Sequence, residues 1–363
     1  MKKSLLEIDS HGDALLILRR PNAQPIPSSE NQETPDGVES PKLGANASTQ
    51  TRKTKSTKSP TTLEDLKSIR PYHENGEPNE IHFQVSSRHL SIVSPVFRAM
   101  IEGKYKESQP NHQGLMEIGA SEWNAQALLI LLDIIHGHHR DVPKTLDLEA
   151  IVQIGFLVDY YDCLEVVEIF FDRWCVFFAK WIEYSVDSLF RYYTPKVQRF
   201  GQDETLLLFI AWVFRSGAAF SNLTSSAAFN GERLIETDLP IPNKILAKIE
   251  ERRVELIDQL FSRLYNLQED LVVGRVGCCL ECSCRLLGYL MKEMRNRELP
   301  ATKPDKPFSG YSVPSVLKII NSITTPVWKT RKAIDACKLE KHLYLNPSEL
   351  EAQVAGLRLE DFQ

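Results

Sequence analysis

The sequence predicts an α+β fold: a small sheet flanked by helices, broken by a long disordered insertion and followed by a mostly α-helical C-terminal region. Three observations predict it. Apolar runs at 13–18 and 81–85 have the length and patterning of strands rather than helices. Between them, 21–79 turns to Pro, Ser, Thr, Asn, Glu, Lys and Gly with hardly any large apolar residue, which cannot offset the entropy of ordering. Further on, apolar residues recur at helical spacing, separated by Gly, Pro and Ser stretches. The expected domains are a first one built from 1–20 and 80–182, an insertion at 21–79, and a helical region at 183–363.

Each element follows from local chemistry. Ala14, Leu15, Leu16, Ile17 and Leu18 follow Gly12-Asp13 and stop at Arg19-Arg20-Pro21, too short a run for a helix, so they read as a buried strand. Ile81, Phe83 and Val85 alternate onto one face of a second strand, and a hairpin with a long, tolerated loop is the simplest connection between the two. Ser94 suits an N-cap, Pro95 the first helical position and Gly103 the stop, which punctuates a short helix. Leu115, Met116, Glu117 and Ile118 predict a third strand, and Ser121 is placed to cap a helix running from Trp123 through Ile135 to Gly137. Helical patterns follow at 146–160 and 163–181. The second is apolar on almost every side and is expected to be buried between two layers. The clearest later helices are 204–214, 243–267 and 272–294, and no repeat of fixed period occurs.

A chain of 363 residues has room for about two folded units. Hydrophobic residues at 42% and charged residues at 25% are the mix of a soluble globular protein. The net charge of −5 offers no general attraction to phosphate backbones, so direct nucleic-acid binding is not expected. Glu7, Asp9 and Asp13 interrupt any apolar run of signal-peptide length, and the apolar stretches at 127–135 and 151–158 are too short to span a bilayer. The expectation is an intracellular protein, cytoplasmic or nuclear, without membrane attachment. Its seven cysteines then read as thiols in a reducing compartment rather than as disulfides.

Several clusters invite chemistry. Cys278, Cys279, Cys282 and Cys284 resemble a zinc set, but four thiols within seven residues cannot easily surround one tetrahedral ion, so a distant residue such as Cys337 or His342 would have to join two of them. The reading carried forward is buried thiols, with Cys278, Cys282 and Arg285 on one helical face, and no metal or other cofactor is assigned. His136, His138 and His139 sit where a helix C-terminus favours positive charge. Glu250, Glu251, Arg252, Arg253 and Glu255 read as a solvated helix face. Arg52 to Pro60 is either a flexible basic linker or a short import signal with a phosphorylatable Ser-Pro. The sequence holds no nucleophile elbow, zinc-protease helix, phosphate loop or dinucleotide fingerprint, and no catalytic residue is assigned.

The span from His82 through Ser86-Ser87-Arg88-His89-Leu90 and Ser94-Pro95-Val96-Phe97-Arg98-Ala99-Met100 to Tyr105-Lys106-Glu107-Ser108 resembles the signature of BTB/POZ domains. Together with Ile134-Ile135-His136-Gly137, Val158-Asp159-Tyr160-Tyr161-Asp162-Cys163 and the ending Gly356-Leu357-Arg358-Leu359-Glu360-Asp361-Phe362, it is similar to BTB proteins abundant in filamentous fungi. The resemblance implies protein–protein interaction: self-association, partner docking or service as a substrate adaptor of a cullin-based ubiquitin ligase. It implies that Tyr105, Lys106 and Glu107 form the hydrophobic-x-acidic element through which members meet the third cullin class. An exposed tyrosine beside a carboxylate is also a plausible small hot spot on physical grounds, while the plainer alternative has Tyr105 closing the domain core. Two departures from the family are the few residues ahead of the first strand, which leave no helix to swap between subunits, and the lack of a recognisable substrate-binding module. The expected function is a non-catalytic scaffold or adaptor. The alternatives are a nuclear regulator acting through self-association and, further off, an enzyme with an unfamiliar site.

Overall fold

Alternation at 81–85 needs a partner strand, and in the computed structural model it has one on each side. The structure describes residues 4–26, 63–104, 108–175, 200–325 and 337–363. These fall into two compact units, Met1–Phe177 and Phe178–Gln363.

The first unit is α+β, built on a four-stranded mixed sheet. Strands β1 (Ser4–Glu7), β2 (Ala14–Arg19), β3 (Glu80–Val85) and β4 (Met116–Ser121) lie in the order β1-β3-β2-β4. β2 and β3 are antiparallel, pairing Leu16 with Phe83 and Leu18 with Ile81, which is the expected long-looped hairpin. β4 runs parallel to β2, and β1 runs parallel to β3. β1 is absent from the sequence reading because four residues ending in a glutamate show no alternation of their own. Pairing with β3, more than seventy positions away in sequence, is what makes them a strand. Gly12 turns the chain between β1 and β2 where a Cβ would lie 2.6 Å from the Val85 carbonyl oxygen, so only glycine fits there.

Helix α1 (Leu63–Lys67) falls within the segment expected to be a disordered insertion, and that boundary is corrected. Leu66 is buried, and Asn22, in the left-handed region at φ 61°, donates from Nδ2 to the carbonyls of Leu66 and Ile69, both at 2.9 Å. Its Oδ1 accepts the Ala125 amide at 2.8 Å. The insertion is therefore held to the unit from residue 63 onward, and 27–62 lies outside the described residues.

After β3 come α2 (Ser87–Val93) and α3 (Pro95–Glu102). Ser86 caps α2, and Asp13 accepts from both the Ser87 amide (2.8 Å) and its hydroxyl (2.7 Å). Helices α4 (Ala125–Ile135), α5 (Leu148–Tyr161) and α6 (Leu164–Trp174) complete the unit. The cap of α4 is Asn124, whose side chain accepts the Ala127 amide at 2.9 Å, while Ser121 belongs to β4. Leu16, Phe83 and Ile118 of the sheet and Leu128, Leu131, Ile154 and Leu157 of α4 and α5 are all fully buried. α6 departs from expectation: it buries Val167, Phe171 and Trp174 on one face, while Ile169 is 73% exposed. The part of that predicted helix beyond Cys175 lies outside the described residues.

The second unit is helical: α7 (Gln202–Val213), α8 (Gly217–Asn230), α9 (Asn243–Val272), α10 (Leu280–Asn296), α11 (Val313–Asn321), α12 (Leu339–Leu343) and α13 (Pro347–Gln353), ending in a 3-10 turn at Leu359–Asp361. α9 is the spine, burying Ile245, Ile249, Ile257, Leu260, Leu264, Leu267 and Leu271 along one stripe. It outruns its predicted end at 267 and takes in Val272, so α10 starts at Leu280 rather than at 272. The break lies at Gly274 and Gly277, both at positive φ. The final segment lies along α8: Ser225 Oγ donates to the Val354 carbonyl (2.6 Å), the Leu357 amide donates to Thr224 Oγ1 (2.8 Å), and Leu357 and Leu359 are buried.

Candidate functional site

The expected partner-binding element begins where α3 stops. Ser94 joins α2 to α3 and its hydroxyl works twice, accepting the Phe97 amide at 3.0 Å as the N-cap and donating to the Tyr161 carbonyl at 2.6 Å. Phe97 stacks on Tyr161 with centroids 4.1 Å apart, so the helix pair is pinned to the C-terminal end of α5. Burial raises the Tyr161 hydroxyl far above its ordinary pKa. Arg98 donates from Nε to the Ser91 carbonyl at 2.9 Å, and Ile92 is exposed. The hairpin is thus a rigid ledge whose last turn leads through Gly103 and Lys104 into the predicted element. Tyr105, Lys106 and Glu107 themselves lie outside the described residues, as does the basic tract 52–60.

His136 is pinned by hydrogen bonds at both ring nitrogens. His136 Nε2 accepts the Ser86 amide at 3.0 Å, which leaves Nδ1 as the donor to the Leu132 carbonyl at 2.8 Å, and burial lowers its pKa. The neutral ring therefore ties α4 to the cap of α2, instead of placing positive charge at a helix end. His138 Nδ1 sits 3.4 Å from Asp133 Oδ1, and the His139 ring packs edge-on to Phe170.

In the second unit the predicted solvated face of α9 is corrected at one residue. Arg253 is 1% exposed. It donates to both carboxylate oxygens of Glu250 at 2.7 Å, and to the carbonyls of Tyr311 (2.8 Å), Phe308 (3.4 Å) and Pro307. The guanidinium therefore organises the loop 307–311, whose Phe308 and Tyr311 rings pack on Phe261. The signal was available in the sequence: position 253 is one turn from Ile249 and one turn from Ile257, on the buried stripe.

The cysteines also depart from the buried-thiol reading. Cys278, Cys279 and Cys284 are exposed, Cys282 is half-buried and Cys337 is buried. Cys278 precedes α10, so it does not share a helical face with Arg285, which pairs instead with Glu281. The Sγ atoms of Cys278, Cys282 and Cys337 nevertheless all lie within 4.8 Å of one another. Cys337 reaches this cluster across more than fifty residues, and His342 is not part of it. Cys279 Sγ is 3.9 Å from Cys278 Sγ. A hydrogen bond to Cys337 heads the causes that push Cys278 up to about 12, while Cys337 is lowered because its bonds to Cys282 and Cys278 outweigh the opposing effect of burial. Sulfur-only donors at this spacing suit a soft cation.

Among the described residues, no helix is long and apolar enough to cross a membrane. No family model, curated protein or solved structure matches this chain.

Proposed function

We propose that the chain is a protein-interaction adaptor or scaffold, with an N-terminal interaction module of BTB/POZ type that docks partners through the loop after α3. The sharpest form of the reading is a substrate adaptor for a cullin-based ubiquitin ligase, in which Tyr105 and Glu107 carry the contact. One observation supports it above the others: the α2–α3 pair, which in the sequence directly precedes Tyr105-Lys106-Glu107, is fixed to the end of α5 through Ser94 and Phe97. The order strand, long insertion, strand, two short helices, strand and helices agrees with the resemblance in the sequence.

A second reading is self-association in a nuclear regulator. β1 is the outermost strand beside β3, and its Leu5 is exposed.

The test is binding of the full chain to the N-terminal region of a class-three cullin, beside a Tyr105→Ala, Glu107→Ala double variant checked for an intact fold. Micromolar binding in the wild type, weakened at least about 30-fold in the variant, is expected if two hot-spot contacts carry the interface. A folded wild type that does not bind would remove the cullin reading. A chain mass of twice the monomer by light scattering would then move the weight to self-association.

A further inference from the structure

We propose that Cys278, Cys282 and Cys337 form a three-thiolate binding site for zinc in the reduced protein.

The first support is spacing. Zinc–sulfur bonds of about 2.3 Å in a tetrahedron put ligand sulfurs roughly 3.8 Å apart. The three Sγ atoms already lie within 4.8 Å of one another, so each pair closes by about 1 Å or less. Cys278 sits in an exposed turn and can close its own two distances through its rotamer, which leaves the Cys282–Cys337 pair to the rotamers of those two residues.

The second support is that the turn holding Cys278 is built. Gly277 adopts φ 111°, and a Cβ there would come 3.0 Å from the Ser283 nitrogen. Ser283 is buried, donating its hydroxyl to the Leu271 carbonyl at 2.7 Å and its amide to the Cys279 carbonyl at 3.0 Å. The end of α9, the Gly277 turn and the first turn of α10 are therefore locked together. This places the sulfur of Cys278 beside that of Cys282, although only Cys282 is helical.

The third support is sequence distance. Two locally spaced thiols joined by one from a remote segment is the arrangement in which a metal contributes to folding, because the ion cross-links elements that local structure does not connect. Here it would tie the α9–α10 turn to the segment leading into α12, whose Leu339 is buried. An all-sulfur set selects zinc and other thiophilic cations over magnesium or calcium. A disulfide is the competing use of these thiols, but it would engage two of the three and leave the third without a role.

The test uses the full-length protein, prepared metal-free under reductant and titrated with Co2+ and then Zn2+. The expected result is one Co2+ per chain with an intense thiolate-to-cobalt charge-transfer band, abolished by stoichiometric Zn2+. Loss of a ligand in Cys278→Ser or Cys282→Ser should weaken binding by at least about 100-fold, the upper end of what loss of an outer-shell partner costs. Cys284→Ser should bind as the wild type does. Because Cys278 is exposed, its serine variant keeps the fold, so loss of binding there reports on ligation. A folded, reduced wild type without the band, a Cys278→Ser variant of unchanged affinity, or a Cys284→Ser variant that fails to bind would each overturn the assignment. So would a disulfide among these cysteines that, once reduced, leaves a protein that takes up no metal.

Discussion

Arg253 is a charge at a core position, and its value lies in what its loss would strand. Replacing it with methionine keeps the volume but leaves the partly buried Glu250 carboxylate and the carbonyls of Pro307, Phe308 and Tyr311 without their donor. Removing one partner of such a pair costs about 3–5 kcal/mol. Urea denaturation should show that loss for Arg253→Met, and a smaller one for Arg253→Lys, which keeps the charge but not the forked geometry. A loss under 1 kcal/mol in Arg253→Met would mean that the network is ornamental. Asp133 runs the other way. Burial raises its carboxyl from 3.8 to about 6, against the opposing hydrogen bond from His138. The folded state holds this proton more tightly than the unfolded chain does, so the charged form is a cost that is absent below about 3.8 and complete above about 6. Stability should fall across that window by at most about 3 kcal/mol. Asp133→Asn should be more stable than wild type at pH 7.5 by about 1–3 kcal/mol, with the difference gone near pH 4, as read by denaturation at both pH values. An advantage that persists at pH 4 would point to packing instead.

The C-terminal ending Gly356-Leu357-Arg358-Leu359-Glu360-Asp361-Phe362 is the element whose attachment is easiest to break. A Cβ at Gly356 would lie 1.8 Å from the Ser221 carbonyl oxygen, a backbone atom of α8 that cannot rotate away. Gly356→Ala should therefore lift the strap, exposing Leu357 and Leu359 and cutting the hydrogen bond from the Leu357 amide to Thr224. The expected loss is about 3 kcal/mol, with faster hydrogen exchange at the Leu357 amide. An unchanged exchange rate would show that the strap and α8 shift together. Legibility at this scale followed the strength of local patterning. β2, β3, α3 and α5 were readable because a short apolar run, alternation, punctuation and helical spacing respectively mark them, down to the cap at Ser94 and the stop at Gly103. α8 was missed because Gly217-Ala218-Ala219 and Ser225-Ser226-Ala227 read as breaks, although Phe220, Leu223, Ala227 and the buried Thr224 lie at helical spacing. The start of α10 was misplaced because apolar residues continue through Val276, and only the positive-φ glycines interrupt them.

At the scale of the whole molecule, the α+β unit and the helical unit follow from a chain whose hydrophobic period changes from two to about 3.6 along its length. That change is a local property, so the sequence by itself determined the fold class, the hairpin of β2 and β3, and the spine of α9. For the cysteines at 278–284 the same reasoning noted only that a metal would need a distant partner such as Cys337 or His342, and it carried forward buried thiols instead. Tertiary structure alone decided that β1 pairs with β3, that Arg253 points inward onto the loop 307–311, and that Cys337 rather than His342 reaches the thiols of Cys278 and Cys282. The physical reason is the same in each case: a periodic pattern states which face of an element is apolar, but a partner more than fifty residues away is chosen by packing and hydrogen bonding that no local window contains.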